Sequence, residues 1–343
     1  MDRRFDRQAR FAPLGRAGQE RLESRSVLVV GCGALGGSLA QTLTRCGVGR
    51  LVLVDRDVVD ETNLPRQVLF EERHAAAGVP KVEAAREVLA RIGGPTEVVG
   101  HALHLDADNV AELAQGCDLV LDGTDNLPTR YLLNDFCVER SLAWIYAGVV
   151  GAGGLVLPVF APLDRPGACL RCLFPDPPPP GSLPTCETAG VVLPAVSAVA
   201  ALESALALRW LVGTDEERRA FVPYLTQLDV WSGETLRLDA TRQPACPCCV
   251  GREFPFLNTP VARSAVVLCG RNTVQVRGSS RPDIAQVAQR LAGHARDVVA
   301  LGSLLRFEVE ALRVTVFPDG RALIEGTDDP GRARAVYDRW VGA

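Results

Sequence analysis

Val27-Leu28-Val29-Val30-Gly31-Cys32-Gly33-Ala34-Leu35-Gly36 opens on an unbroken apolar run and stops at a glycine turn. Four apolar residues without polar alternation suit a strand buried on both faces, as in a parallel sheet. The residues behind them, about Ala34 to Cys46, read as a helix. The glycine pattern therefore falls between strand and helix, the setting in which it is informative. Gly31 permits the turn, Gly33 lets backbone approach a phosphate, and Gly36 lets helix and strand pack closely. The helix start adds free N–H groups and a positive dipole end facing an anion. These glycines alone say nucleotide, and NAD in an oxidoreductase is one compatible ligand.

Working outward, Leu51-Val52-Leu53-Val54 repeats the buried-strand pattern and ends at Asp55, well placed for ribose hydroxyls. A helix runs from about Pro80 through Arg91, with Ala84, Ala85, Val88, Leu89 and Ile92 on its apolar face. Leu119-Val120-Leu121 is another buried strand, and Tyr131 to Val138 looks helical. This β-α-β-α-β order predicts an α/β fold with a doubly wound, Rossmann-like sheet. After Trp144 the texture turns to antiparallel strands near Leu155–Phe160 and Leu225–Leu238. Between them, Pro175-Asp176-Pro177-Pro178-Pro179-Pro180-Gly181 excludes helix or central strand and predicts an exposed arm. A long helix, about Ala195 to Val212, follows. Asn258-Thr259-Pro260 suggests a linker over 254–262, and residues 263–343 read β-α-β-β-α, a small separate α+β module.

With 343 residues, 47% hydrophobic and 23% charged, the chain has the balance of a soluble globular protein larger than one typical domain. A net charge of -4 leaves no basic excess to grip nucleic acid. Met1-Asp2-Arg3-Arg4-Phe5-Asp6-Arg7 lacks the apolar core of a signal peptide, and the longest apolar runs are interrupted by Gly, Arg or Pro. No membrane association and a cytoplasmic location are the resulting expectations. In a reducing compartment, 11 cysteines point to metal or catalysis before disulfides. Cys32, Cys46, Cys117 and Cys137 lie in apolar-periodic segments and read as small buried hydrophobes.

The residues after Asp55 argue against hydride chemistry. Asp55-Arg-Asp57, Asn63-Leu-Pro-Arg66-Gln67, Gly78-Val-Pro80-Lys81 and Asp122-Gly-Thr-Asp125-Asn126 all follow strand ends or open helices. In a parallel sheet these positions share the edge where ligands bind. Arg, Lys and Asp together there suit a triphosphate with Mg²⁺ better than a dinucleotide pyrophosphate. His74, His101, His104 and His294 fall outside these motifs and read as surface or core residues.

Together with Arg4-Phe5-Asp6-Arg7-Gln8 and Gly18-Gln19, these motifs resemble, in order and spacing over roughly residues 3–252, the ThiF/MoeB/HesA family, whose fold is that of the adenylation domain of ubiquitin-activating enzymes. The resemblance implies an adenylation domain over 1–253, with a crossover loop at about 164–190. It implies ATP-dependent adenylylation of the C-terminal carboxylate of a small β-grasp ubiquitin-like or sulfur-carrier protein. Asp55 would then hold the ribose, Arg66 and Lys81 the phosphates, and Asp125 Mg²⁺. Asp57, Asn63, Gln67 and Asn126 would complete the pocket. Arg7 matches an arginine that reaches into the partner subunit's site, which implies a homodimer. The chemistry is coherent, since a C-terminal carboxylate with a pKa of roughly 3.3–3.7 needs no base, only cations to bring it to a polyanionic nucleotide. The alternatives are a non-catalytic nucleotide-binding scaffold of the same fold and an NAD-dependent oxidoreductase.

Cys169-Leu-Arg-Cys172 and Cys246-Pro-Cys-Cys249 supply two CxxC knuckles, enough for a closed tetrahedral Zn²⁺ site. The resemblance supports that pairing, with Cys248 able to replace Cys246 or Cys249. Cys186 lies where relatives often carry a cysteine that receives the acyl group or sulfur before a downstream sulfur donor or conjugating partner acts. Glu187 beside it disfavours a thiolate, and relay and bystander both stay open. The resemblance does not reach the C-terminal module. Cys269-Gly-Arg271 there falls too early for a mid-domain sulfurtransferase loop, so docking or regulation is expected of it.

Overall fold

The computed structural model describes residues 3–160, 167–179, 182–258, 266–268, 272–278, 281–301 and 304–342. Helices α1 (Asp6–Ala9) and α2 (Gly15–Glu23) precede β1 (Ser26–Val30), α3 (Ala34–Cys46) and β2 (Arg50–Val54). The alternation continues through α4 (Glu72–Ala77), α5 (Lys81–Ile92), β3 (Glu97–His101), α6 (Val110–Leu113), β4 (Leu119–Asp122), α7 (Leu127–Arg140) and β5 (Trp144–Val150). Next come β6 (Gly153–Val159), α8 (Leu170–Leu173), α9 (Cys186–Ala189), α10 (Leu193–Val212), α11 (Asp215–Ala220), β7 (Tyr224–Asp229), β8 (Glu234–Asp239) and α12 (Pro255–Asn258).

These strands form one sheet in the order β3-β2-β1-β4-β5-β6-β7-β8, parallel through β5 and antiparallel from β6 onward. The expected fold class is what the chain adopts. Val30 pairs in register with both Val54 and Asp122, so β1, β2 and β4 end level and their following loops share one edge. At that edge Gly31 has φ +87°, and a Cβ on it would meet the Gly123 carbonyl at 2.5 Å. Only glycine suits both the left-handed backbone and the approach. A side chain at Gly36 would strike the Gly31 carbonyl, which is the close helix–strand packing that the third glycine allows.

The sheet is covered on both faces. One core gathers Leu39, Leu43, Leu53, Val82 and Val199 beneath α3, α5 and α10; the other gathers Leu28, Val120, Leu133 and Trp144 beneath α7. Gln8 and Gln19 fasten the N-terminal helices, each donating to the Cys46 carbonyl at the end of α3, at 2.9 and 3.2 Å. Cys32 and Cys137 are buried as expected, whereas Cys46 and Cys117 are only partly so. The expectation that no segment is long and apolar enough for a bilayer is overturned by composition. The 20 residues of α10 meet that test, because a helix central to a soluble core is apolar almost all round. Here it packs against α3, β5 and β6.

The C-terminal residues form a second sheet from β9 (Val266–Leu268), β10 (Thr273–Arg277), β11 (Arg296–Leu301), β12 (Leu304–Val309), β13 (Leu312–Val316) and β14 (Arg321–Glu325), in the order β11-β12-β13-β14-β10-β9. Helices α13 (Ile284–Leu291) and α14 (Pro330–Trp340) complete the module. It holds six strands where the β-α-β-β-α pattern predicts three; among them β9 and β11 lack a clean alternation. It has its own core, yet Leu304, Phe317 and Leu323 join the core of the large sheet. Of the linker expected over 254–262, Pro255–Asn258 form α12, whose Phe256 ring lies 5.0 Å from Tyr131 of α7. Residues 259–262 and Cys269 lie outside the described residues.

Candidate active site

A cavity of about 780 Å³ opens at the carboxyl edge of the parallel strands. Gly31 and Gly33 from the first turn, Asp55 and Asp57 after β2, Arg66, Gln67, Lys81, Asp125 and Asn126 all line it. Residues far apart in sequence meet here because each follows a strand end or opens a helix on that edge. Three expected residues do not reach the wall. Gly36 serves packing, as above. Asn63 is buried, and its Oδ1 accepts the Asp60 N–H at 3.1 Å, fixing the turn that presents Arg66 and Gln67. Arg7 is exposed on α1, away from its own chain's cavity.

Asp55 accepts the Cys32 N–H at 2.6 Å and the Asp57 N–H at 2.8 Å, which ties the glycine turn to the end of β2. Burial pushes its pKa up against the pull of Lys81. The Lys81 ammonium lies 3.2 Å from Asp57 Oδ2. Burial disfavours its charge, but Asp57 and Asp55 outweigh that and raise its pKa. A buried, fixed cation opening a helix is the group a phosphate needs. Arg66 is anchored by an Nη1 bond of 2.6 Å to the Thr62 carbonyl. Asp125 stands exposed in the cavity, and Asn126 caps α7 by accepting the Thr129 N–H at 3.0 Å.

Two features of this wall escape sequence reasoning. Arg130, on α7, donates to Asp122 at 3.1 Å and to the Thr124 and Ala147 carbonyls at 2.7 and 2.9 Å. It lines the cavity with its guanidinium 5.2 Å from the Tyr146 ring centre. Its spacing of five from Asp125 was the available signal. His104, after β3, also lines the cavity; burial and the charges of Arg56 and Arg321 push its pKa down to about 4, so it is neutral at pH 7.

The arm after the proline run lies along the cavity through Pro178, Pro179, Leu183 and Pro184. It ends at Cys186, which lines the cavity and whose Sγ lies 3.2 Å from the Val149 carbonyl. Burial first, then Asp125, raises the thiol pKa against Arg66 and Arg130, so the resting group is a thiol.

On the opposite face, Cys169, Cys172, Cys246 and Cys249 bring four sulfurs within 4.8 Å of one another, all buried. Sγ separations are 3.6 Å for Cys169–Cys246, 3.5 Å for Cys172–Cys249 and 3.9 Å for Cys169–Cys172. A tetrahedral thiolate site with metal–sulfur bonds of about 2.3 Å requires separations of roughly 3.8 Å, so the set fits a metal ion. Cys248 is not one of these four; its Sγ accepts from Asn134 Nδ2 at 3.2 Å, and its side chain also meets Cys169.

A doubly wound sheet with acids, cations and glycines at its carboxyl edge defines a nucleotide-binding α/β protein with an accessory cysteine cluster. Residues 5–248 match the ThiF family model, and the chain belongs to the ThiF family. It is 37% identical to the sulfur carrier protein ThiS adenylyltransferase of Bacillus subtilis (strain 168), an alignment covering 100% of both chains. It is 38% identical to the sulfur carrier protein adenylyltransferase of Thermus thermophilus, over 72% of this chain and 90% of that one. Among solved structures, E. coli MccB with ATP superposes with a TM-score of 0.61 at 21% identity, over 72% of this chain and 75% of that one, and shares the fold.

Proposed function

We propose that this chain is an adenylyltransferase that uses ATP to activate the C-terminal carboxylate of a small sulfur-carrier or ubiquitin-like protein. One observation carries the reading: Asp55, Arg66, Lys81 and Asp125, scattered over 71 residues of sequence, share one cavity wall in a chain aligned end to end with a named carrier adenylyltransferase. Asp55 holds the ribose, the glycine turn and α3 start receive phosphate, and Lys81 and Arg66 neutralise the triphosphate. A carboxylate oxygen of the carrier bonds to the α-phosphorus, the bond to the bridging oxygen breaks, and pyrophosphate leaves with that electron pair. Asp125 would hold Mg²⁺, which supplies charge neutralisation across the phosphates. Arg130 orients the Asp122–Thr124 turn from which Asp125 projects.

The four cysteines suit Zn²⁺ in a closed, structural role, since no position is left for a substrate. Arg7, exposed on its own subunit, suits a homodimer in which it completes the partner's site. Cys186 lines the same cavity, which supports a role in taking the acyl group from the adenylate as a thioester, with AMP leaving, before a sulfur donor or conjugating partner acts. The reaction suits the cytoplasm, where ATP is available. ATP–pyrophosphate exchange dependent on added carrier protein tests the reading; exchange that ignores the carrier, or none with a folded enzyme, contradicts it.

A further inference from the structure

The C-terminal module grips the loops that carry the nucleotide residues. Asp319, in the turn between β13 and β14, accepts the His104 N–H through Oδ2 at 3.3 Å, and Arg321, the first residue of β14, donates from Nη2 to the Arg56 carbonyl at 2.6 Å. Arg56 and His104 both line the cavity, and Arg56 stands between Asp55 and Asp57. Arg306 donates to the Ala77 and Gly78 carbonyls at 3.2 and 3.1 Å, just ahead of Lys81. Arg277 pairs with Asp106 at 2.7 Å, two residues beyond His104. Three loops of the site are thus held from outside the nucleotide-binding domain.

Arg321 is the unusual member. It is 1% exposed, its guanidinium lies 3.6 Å from the Phe317 ring centre, and its Nε is 3.7 Å from Asp319. Among the described residues, Nε and Nη1 have no hydrogen-bond partner. Burying a guanidinium so incompletely paired is costly, and an apolar side chain would pack there more cheaply. What an apolar side chain would not give is the bond to the Arg56 carbonyl and a positive charge facing Asp57 and Asp55. That charge persists at neutral pH even though burial lowers the Arg321 pKa to about 10.

We propose that Arg321 is a positioning residue of the ATP site: through the Arg56 carbonyl it fixes the Asp55–Asp57 segment, with Arg306 doing the same for the turn before Lys81. The C-terminal module is then a working part of nucleotide binding. This rests on the ATP reading above for its consequence, though not for its geometry.

Full-length Arg321→Lys, Arg321→Ala and Arg306→Ala variants, titrated with α,β-methylene-ATP and compared in amide hydrogen exchange, test it. Loss of one charge-assisted bond should weaken analogue binding by about tenfold in Arg321→Ala. Arg321→Lys should recover part of that loss, and exchange should quicken at 55–57 in the Arg321 variants and at 77–81 in Arg306→Ala. Melting temperatures guard against general loosening, and Arg306→Ala covers the case in which Arg321→Ala does not fold. Folded variants with wild-type affinity and unchanged exchange at those segments overturn the proposal, as does quickening spread evenly over the chain. If wild type itself fails to bind the analogue, the ATP reading falls, while the exchange comparison still decides whether Arg321 holds the loop.

Discussion

Asp125 stands on the cavity wall shared by Arg66, Lys81 and Arg130, in a turn held by the Arg130 bonds to Asp122 and Thr124. Because the turn is fixed by its neighbours, Asp125→Ala should fold normally while exchange falls by roughly 10²–10³-fold, the scale of losing one transition-state charge partner. Wild-type exchange in a folded variant would remove Asp125 from the chemistry. Cys186 offers a pH test. Its pKa is raised, so its thiolate appears at higher pH than that of an ordinary thiol, and alkylation of Cys186 should titrate with a midpoint above that of a free cysteine. Asp125→Asn should lower that midpoint, since Asp125 is one of the causes; a midpoint below that of a free thiol would contradict the placement. Asp55, Arg66, Lys81 and Asp125 were legible in the sequence because each sits in a short motif at a strand end. Arg130 and the buried Glu203 were not. Glu203 is a fully buried carboxyl on α10 whose pKa burial pushes well up. Their significance comes from which helix face meets which strand, and no local pattern encodes that.

Among the elements, the buried parallel strands were readable from their unbroken apolar runs, and α3 and α5 from their period. β3 was not, because Glu97–His101 is an edge strand only partly buried, with Gly100 near its end. The cysteine knuckles could be paired by spacing, but the contact of Cys248 with Asn134 of α7, 114 residues away, could not be read there. Metal analysis should find about one zinc per chain. Removing it should expose the α8 and 246–249 segments to proteolysis before ATP-analogue binding is lost, since the cluster lies on the face of the sheet opposite α3 and α10. Fully stable, metal-free protein would contradict a structural zinc.

For the whole molecule, Arg7 is the residue whose role needs a second copy. It is exposed, does not line its own cavity, and sits on an N-terminal helix that Gln8 pins to the end of α3. Mixing Arg7→Ala with Lys81→Ala chains in equal amounts should restore up to about a quarter of the wild-type rate if subunits exchange at random and sites are completed in trans. No recovery despite demonstrated exchange would count against it. The C-terminal module was visible in the sequence as a separate strand-rich unit, but its grip on the nucleotide loops was not. Arg277, Arg306 and Arg321 look like ordinary surface arginines until the fold sets them against Asp106, Gly78 and Arg56.

The central claim is that a carrier's C-terminal carboxylate is what becomes adenylylated. Intact-mass measurement of a small sulfur-carrier protein, incubated with this enzyme, ATP and Mg²⁺ under acidic quench, tests it most directly. The carrier should gain one adenylyl group, and none when its C-terminal carboxylate is amidated or when Lys81→Ala enzyme is used. An adenylylated carrier that persists after amidation, or an unmodified carrier with folded, ATP-binding enzyme, would contradict it.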